Sequence, residues 1–164
     1  MRESARFAVL SLSALLALPA LAADLRPVRE PAKIAGVFPK SAKLRVINVW
    51  ATWCAPCVAE MPDLRLIDQT FGDEVMIAGV SLDDMIPGAK PAQVSAFLDK
   101  QKIAFPNIYY TGNADVLGDY LNFSGEMPVT IVLDARGKEL WRHQGRLDRQ
   151  KTIAQLRELL RRIP

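Results

Sequence analysis

Hydrophobic and polar positions alternate over residues 44–50 (LRVINVW), several of them β-branched, and this pattern predicts a strand. The period then changes. Met61, Leu64, Ile67 and Phe71 recur at helical spacing and predict one helix over residues 54–71, with Pro62 inside it as a kink. Residues 75–80 (VMIAGV) are almost wholly apolar, as suits a short strand buried on both faces. A polar loop over 81–91 leads to a helical stretch over 92–102, an extended stretch over 103–110 and a short helix over 114–121. Residues 129–133 (VTIVL) read as a strand, 134–137 as a turn ending in Gly137, and 139–143 as the returning arm of a hairpin. A last helix over 149–161 places Ile153, Leu156 and Leu160 on one side. Buried strands joined by a crossover helix pair in parallel, whereas the late hairpin is antiparallel. The expectation is an α/β fold, a mixed central β-sheet flanked by helices on both faces.

The two ends of the chain read differently. Arg2 and Arg6 precede an uncharged apolar run over residues 7–18, Pro19 breaks it, and Ala20-Leu21-Ala22 fits a small-x-small cleavage site. That layout is a secretory signal peptide. The run is short for a membrane span, which needs roughly 18 apolar residues; an uncleaved anchor is the alternative. Residues 23–43 are rich in Pro, Lys and Arg without periodicity and read as an extended lead-in. The expected organisation is a signal peptide or anchor over 1–22, a lead-in over 23–43 and one domain over 44–164. The expected location is periplasmic or otherwise extracytoplasmic, with an inner-membrane tether if the leader is kept.

Composition narrows the function. Half of the 164 residues are hydrophobic, enough for a real core. The formal net charge of +3 is too even to point to nucleic acid. Arg157, Arg161 and Arg162 close the last helix, where cations suit the helix dipole. The chain has two cysteines, Cys54 and Cys57, inside NVWATWCAPCVAEMP. A bridge between neighbours so close in sequence closes almost no loop and restrains the unfolded chain little, so a structural staple is a poor explanation. With Cys54 as the helix N-cap, Pro56 falls in the first turn, where its missing N–H is no loss. Free amides and the helix dipole favour an anion there, and a Cys-x-x-Cys thiol in such a place has its pKa lowered to roughly 3.5–7.5. Cys54 is therefore the expected nucleophile and Cys57, one turn deeper, the resolving thiol. A zinc site would need two more ligands, and the sole histidine, His143, is the only other soft donor. A two-thiolate Cu(I) carrier stays open as an alternative.

After these residues a resemblance can be stated. VWATWCAPC following a strand resembles the active site of the thioredoxin superfamily, and NVWATWCAPCVAEMP is similar to its exported TlpA/ResA/CcmG branch. Asn48 stands where cytosolic thioredoxins carry a buried Asp, Glu60 stands where ResA-like members carry an acid, and Met61-Pro62 follows. GVSLDD, FLDKQKIAFPNIY and GEMPVTIVLDARGKELWRHQG match downstream in order and spacing, so the likeness covers about residues 31–161. Met127 and Pro56 depart from the commoner residues of that branch. The resemblance implies a thioredoxin-like fold and a protein-disulfide oxidoreductase. Its direction would be reduction, in cytochrome c maturation or copper-site assembly. A disulfide oxidase or isomerase is the alternative, disfavoured by the lack of the long helical insertion that DsbA-type oxidases carry.

The resemblance also implies site roles and partners. Met127-Pro128 would be cis and face the cysteines, with Trp53, Pro56, Met127 and Pro128 forming a substrate groove. Glu60, if partly buried, would have a raised pKa and exchange a proton with Cys57. Glu126 and Asp83 are lesser acid candidates. Trp53 is expected partly exposed and Trp50 packed; His143 is expected to be structural. No metal and no cofactor beyond the Cys54–Cys57 pair is expected. The partners would be an exported disulfide-bearing protein and a membrane thiol electron donor of the DsbD/CcdA type, the chain itself being a monomer.

Overall fold

Apolar strand residues with neighbours on both faces draw the chain into one six-stranded sheet. The computed structural model describes residues 23–163; the expected leader over 1–22 lies outside them. In chain order the elements are β1 (Leu25–Val28), β2 (Leu44–Trp50), α1 (Ala55–Phe71), β3 (Val75–Ser81), α2 (Pro91–Gln101), β4 (Asn107–Tyr110), α3 (Ala114–Leu121), β5 (Val129–Asp134), β6 (Glu139–Gln144) and α4 (Arg149–Arg162). The sheet order is β1-β4-β3-β2-β5-β6. The pairs β1–β4, β4–β3 and β3–β2 are parallel, and β2–β5 and β5–β6 are antiparallel.

Strand alternation divides the core between the two faces. Leu44, Val46 and Trp50 of β2 pack with Met61, Leu64 and Ile67 of α1, Val94 and Leu98 of α2, and Leu156 and Leu159 of α4. Ile47 and Val49 point the other way, toward Leu117 and Leu121 of α3. The expected arrangement of a mixed sheet with helices on both faces is thus the observed one; among the described residues α1, α2 and α4 cover one face and α3 the other. The fold is thioredoxin-like.

One expectation needs correction. Residues 23–43 do not simply lead in. Leu25–Val28 pairs in parallel with Asn107–Tyr110 as an edge strand, and a 3-10 helix over Pro31–Val37 buries Ile34 beneath the α3 face. The pattern of LRPV is too short to announce a strand. Its register comes from β4, which is remote in sequence. The extended stretch over 103–110 is likewise a strand only from Asn107, because Ile103 and Phe105 are buried as loop side chains.

Gly79 of β3 is required by packing. A Cβ there would lie 2.0 Å from Asn107 Oδ1 and 2.7 Å from Trp50 Nε1. Those two groups hydrogen-bond to each other across the sheet, Trp50 Nε1 donating to Asn107 Oδ1 at 3.2 Å. Trp50 is thereby locked directly behind the cysteine loop, fully buried.

Candidate functional site

The site forms where β2 ends and α1 begins. Cys54 is the N-cap of α1, with extended backbone angles, and Pro56 sits in the first turn. The Cys57 backbone N–H points at Cys54 Sγ, 3.3 Å away, and the two cysteines are joined as a disulfide with Cα atoms 5.2 Å apart. Cys54 keeps 7% of its surface exposed and Cys57 none. The less buried cysteine is therefore the one whose sulfur sits on the free amides of the helix start, where a thiolate is stabilised.

The loop just before Cys54 is tied down from β3. Asp83, nearly buried, accepts from Thr52 N at 3.1 Å, from Thr52 Oγ1, and from Ser81 Oγ at 2.7 Å. The sequence offered Asp83 as an acid candidate; in the structure its carboxylate is occupied in holding this loop. Trp53 follows Thr52 and is half exposed. It lines an open cleft of about 670 Å³ with Leu82, Met85, Phe123 and Met127, and a second cleft on its other side with Ile86 and Phe97. The Met127-Pro128 bond is cis. Pro128 is buried at the head of β5, and Pro56 is exposed on α1 and does not line the larger cleft. Glu126 is exposed. Of the four expected groove residues, Trp53 and Met127 meet in that cleft.

Glu60 lies one turn beyond Cys57 on the same side of α1 and is fully buried. Its Oε1 accepts from Asn48 Nδ2 at 2.8 Å, and its Oε2 accepts from the Leu147 backbone N–H at 2.9 Å. Asn48 Nδ2 also donates to Thr130 Oγ1 at 3.1 Å, while Asn48 Oδ1 is buried without a partner. Burial raises the Glu60 pKa above the ordinary carboxylate value; the Leu147 and Asn48 donors and the charges of His143 and Arg146 oppose that rise. A carboxyl so placed is poised to hold or release a proton beside a buried sulfur. Sequence reasoning found Glu60 and Asn48. It missed Leu147, whose contribution is a backbone N–H that no side-chain pattern reveals. Among the described residues no cluster of three or more His, Cys, Asp or Glu could hold a metal ion.

The thioredoxin-like protein YneN of Bacillus subtilis is 32% identical over 56% of this chain and 51% of YneN, so the chain spans about half the length of that relative. The thiol:disulfide interchange protein HelX of Rhodobacter capsulatus is 30% identical, over 82% of this chain and 71% of HelX. Among solved structures, a DsbF homologue from Corynebacterium diphtheriae superposes with a TM-score of 0.62 at 25% identity, covering 71% of each chain. The Redoxin family model matches residues 40–160, a span that holds the cysteine pair, Asn48, Glu60 and Pro128. With a thioredoxin-like sheet, a Cys-x-x-Cys helix start and that match together, the chain belongs to the Redoxin family.

Proposed function

We propose that this chain is a thiol–disulfide oxidoreductase that works as a reductase of disulfides in exported proteins. The observation that carries the proposal is the asymmetry of the pair. Cys54 is the less buried cysteine and its Sγ receives a helix-start N–H, whereas Cys57 is fully buried one turn before the buried Glu60. In the reduced protein the Cys54 thiolate attacks one sulfur of a substrate disulfide, forming a mixed disulfide and releasing one substrate thiolate. Glu60 takes the Cys57 proton, and the Cys57 thiolate attacks Cys54 Sγ. The Cys54–Cys57 bond forms, the second substrate thiolate leaves, and two electrons have passed from the pair to the substrate. Asn48 and Leu147 donate to the Glu60 carboxyl and so favour its ionised form, the form that can accept the Cys57 proton.

The apolar ridge of Trp53 with Met85 and Met127 beside it suits an unfolded or extended polypeptide as substrate. HelX is named a thiol:disulfide interchange protein, and this supports the same chemistry here. Export through the N-terminal leader, a role in cytochrome c maturation or copper-site assembly, and re-reduction by a membrane dithiol donor of the DsbD/CcdA type complete the proposal. The pair itself is the redox group. The test is the reduction potential of the Cys54–Cys57 couple in glutathione buffers, read by Trp53 fluorescence. A reductase requires a potential well below that of strong oxidants; a value near roughly −120 mV, as for DsbA, would overturn the reductase direction.

A further inference from the structure

The chain's one histidine lies at the far end of a line that starts at Glu60. Asn48, Thr130 and His143 stand opposite one another in register on the adjacent strands β2, β5 and β6. His143 stacks on Trp141, and its Nε2 lies 3.2 Å from the Arg146 carbonyl oxygen. A carbonyl only accepts, so Nε2 carries the hydrogen in this bond. The next atom pair along the chain is the Leu147 N–H, which donates to Glu60 Oε2 at 2.9 Å. The Arg146 carbonyl and the Leu147 N–H belong to the same peptide group. One planar amide therefore takes a hydrogen bond from His143 and gives one to the buried carboxyl.

We propose that His143 is a positioning residue for Glu60, holding and polarising the Arg146–Leu147 peptide so that the ring's protonation controls how readily Glu60 keeps its proton. Successive hydrogen bonds polarise one another. A protonated ring pulls electron density from the carbonyl, strengthens the Leu147 donor and adds a positive charge on the Glu60 side. All three favour the carboxylate. Histidine is the side chain whose ordinary charge change falls near neutral pH. A proton on the His143 ring thus, through the peptide, delays proton uptake by Glu60.

The other groups facing Glu60 do not duplicate this. Asn48 from β2 and Thr130 from β5 are neutral, and Cys57 from α1 is in the disulfide. Asp63, one turn further along α1, bridges Arg146 at 3.5 Å and Arg149 of α4 at 3.6 Å. The Arg146 charge is thus partly neutralised. The consequence of the proposal, a Cys57 proton acceptor whose ionised form is favoured while His143 is charged, rests on the thiol–disulfide reading. Its measurement does not.

The experiment uses the oxidised protein with 13C-labelled glutamate carboxyls, titrated by NMR, the Glu60 resonance being assigned by its loss in E60Q. In H143Q the amide N–H can still reach the Arg146 carbonyl but carries no charge; in H143L both are gone. The expected Glu60 midpoint rises in H143Q and rises further in H143L, by more than about half a pH unit from the starting protein. A midpoint in H143Q within about 0.2 pH unit of the starting protein overturns the proposal. Equal midpoints in H143Q and H143L overturn the peptide relay. Should H143L not fold, the Leu147 amide resonance decides: it must shift with histidine protonation in the unsubstituted protein, and a flat response overturns the relay. No thiol reacts in these measurements, so a failed disulfide-exchange assay and a failed titration are separate results.

Discussion

Replacing Glu60 by Gln should remove a specific pH dependence from the stability of the fold. Glu60 is buried between Asn48 and the Leu147 amide, and burial raises its pKa above the value of about 4.3 that an unfolded chain gives it. Between those two values the folded protein holds the proton and the unfolded chain does not. Unfolding then releases a proton, so stability is greatest below the unfolded pKa and falls as pH rises toward the folded one. One proton sets the limiting slope at about 1.4 kcal/mol per pH unit, and the curve flattens above the folded pKa. The substitution itself is well accommodated. The Gln oxygen can face Leu147 N–H, and Asn48 can turn its amide to offer the Gln nitrogen its unpartnered Oδ1. The offset at acid pH should therefore stay within about 1–2 kcal/mol, the scale of one hydrogen bond. The assay is urea unfolding of the oxidised protein over a pH series, with the E60Q curve subtracted. Subtraction cancels Asp68, also raised by burial, and Asp134, Asp148 and Glu158, which are lowered by their donors. A difference curve that is flat, or that rises with pH, would refute the reasoning.

Other consequences are simpler to state. Gly79→Ala should destabilise by about 1–3 kcal/mol, because its Cβ meets Asn107 Oδ1 and Trp50 Nε1 and must break their hydrogen bond; chemical denaturation checks this, and an unchanged midpoint would contradict the packing. Asp83→Ala should cost about 2–4 kcal/mol and speed hydrogen exchange at the Thr52 amide, since the Thr52 and Ser81 donors lose a shared acceptor. Trp53→Ala should weaken binding of an unfolded disulfide-bearing polypeptide while leaving the denaturation midpoint within about 0.5 kcal/mol, because Trp53 is half exposed and outside the core; a loss of stability larger than the loss of binding would contradict its place in the groove.

Local patterns revealed most of the fold. β2, α3 and the 134–137 turn stand where periodicity and turn chemistry place them, since each is determined by residues adjacent in sequence. The β1 strand escaped because its partner, Asn107–Tyr110, lies about eighty residues away and only pairing makes LRPV a strand. At the site the same division holds. Cys54 and Cys57 are legible from their spacing at a helix start, whereas Glu60 stands out only through the family resemblance, because its position alone reads as a surface acid. Asp83 reaches the cysteine loop from the end of β3, and the Leu147 N–H reaches Glu60 from the loop before α4; both contacts exist only once the sheet brings those segments together. His143 reads as structural because the sequence shows only a lone histidine on a hairpin strand; its bond to the Arg146 carbonyl and the register that sets it in line with Asn48 exist only in the folded sheet.

The central claim is that Cys54 attacks and Cys57 resolves. It is tested by exposing reduced C57A and C54A variants to a disulfide-bonded model peptide and measuring mixed-disulfide formation by mass spectrometry against time and pH. The account predicts rapid capture of the peptide on Cys54 in C57A, persisting below neutral pH because the helix start stabilises the thiolate, and slow capture on the buried Cys57 in C54A. Capture on Cys57 as fast as on Cys54 would contradict it.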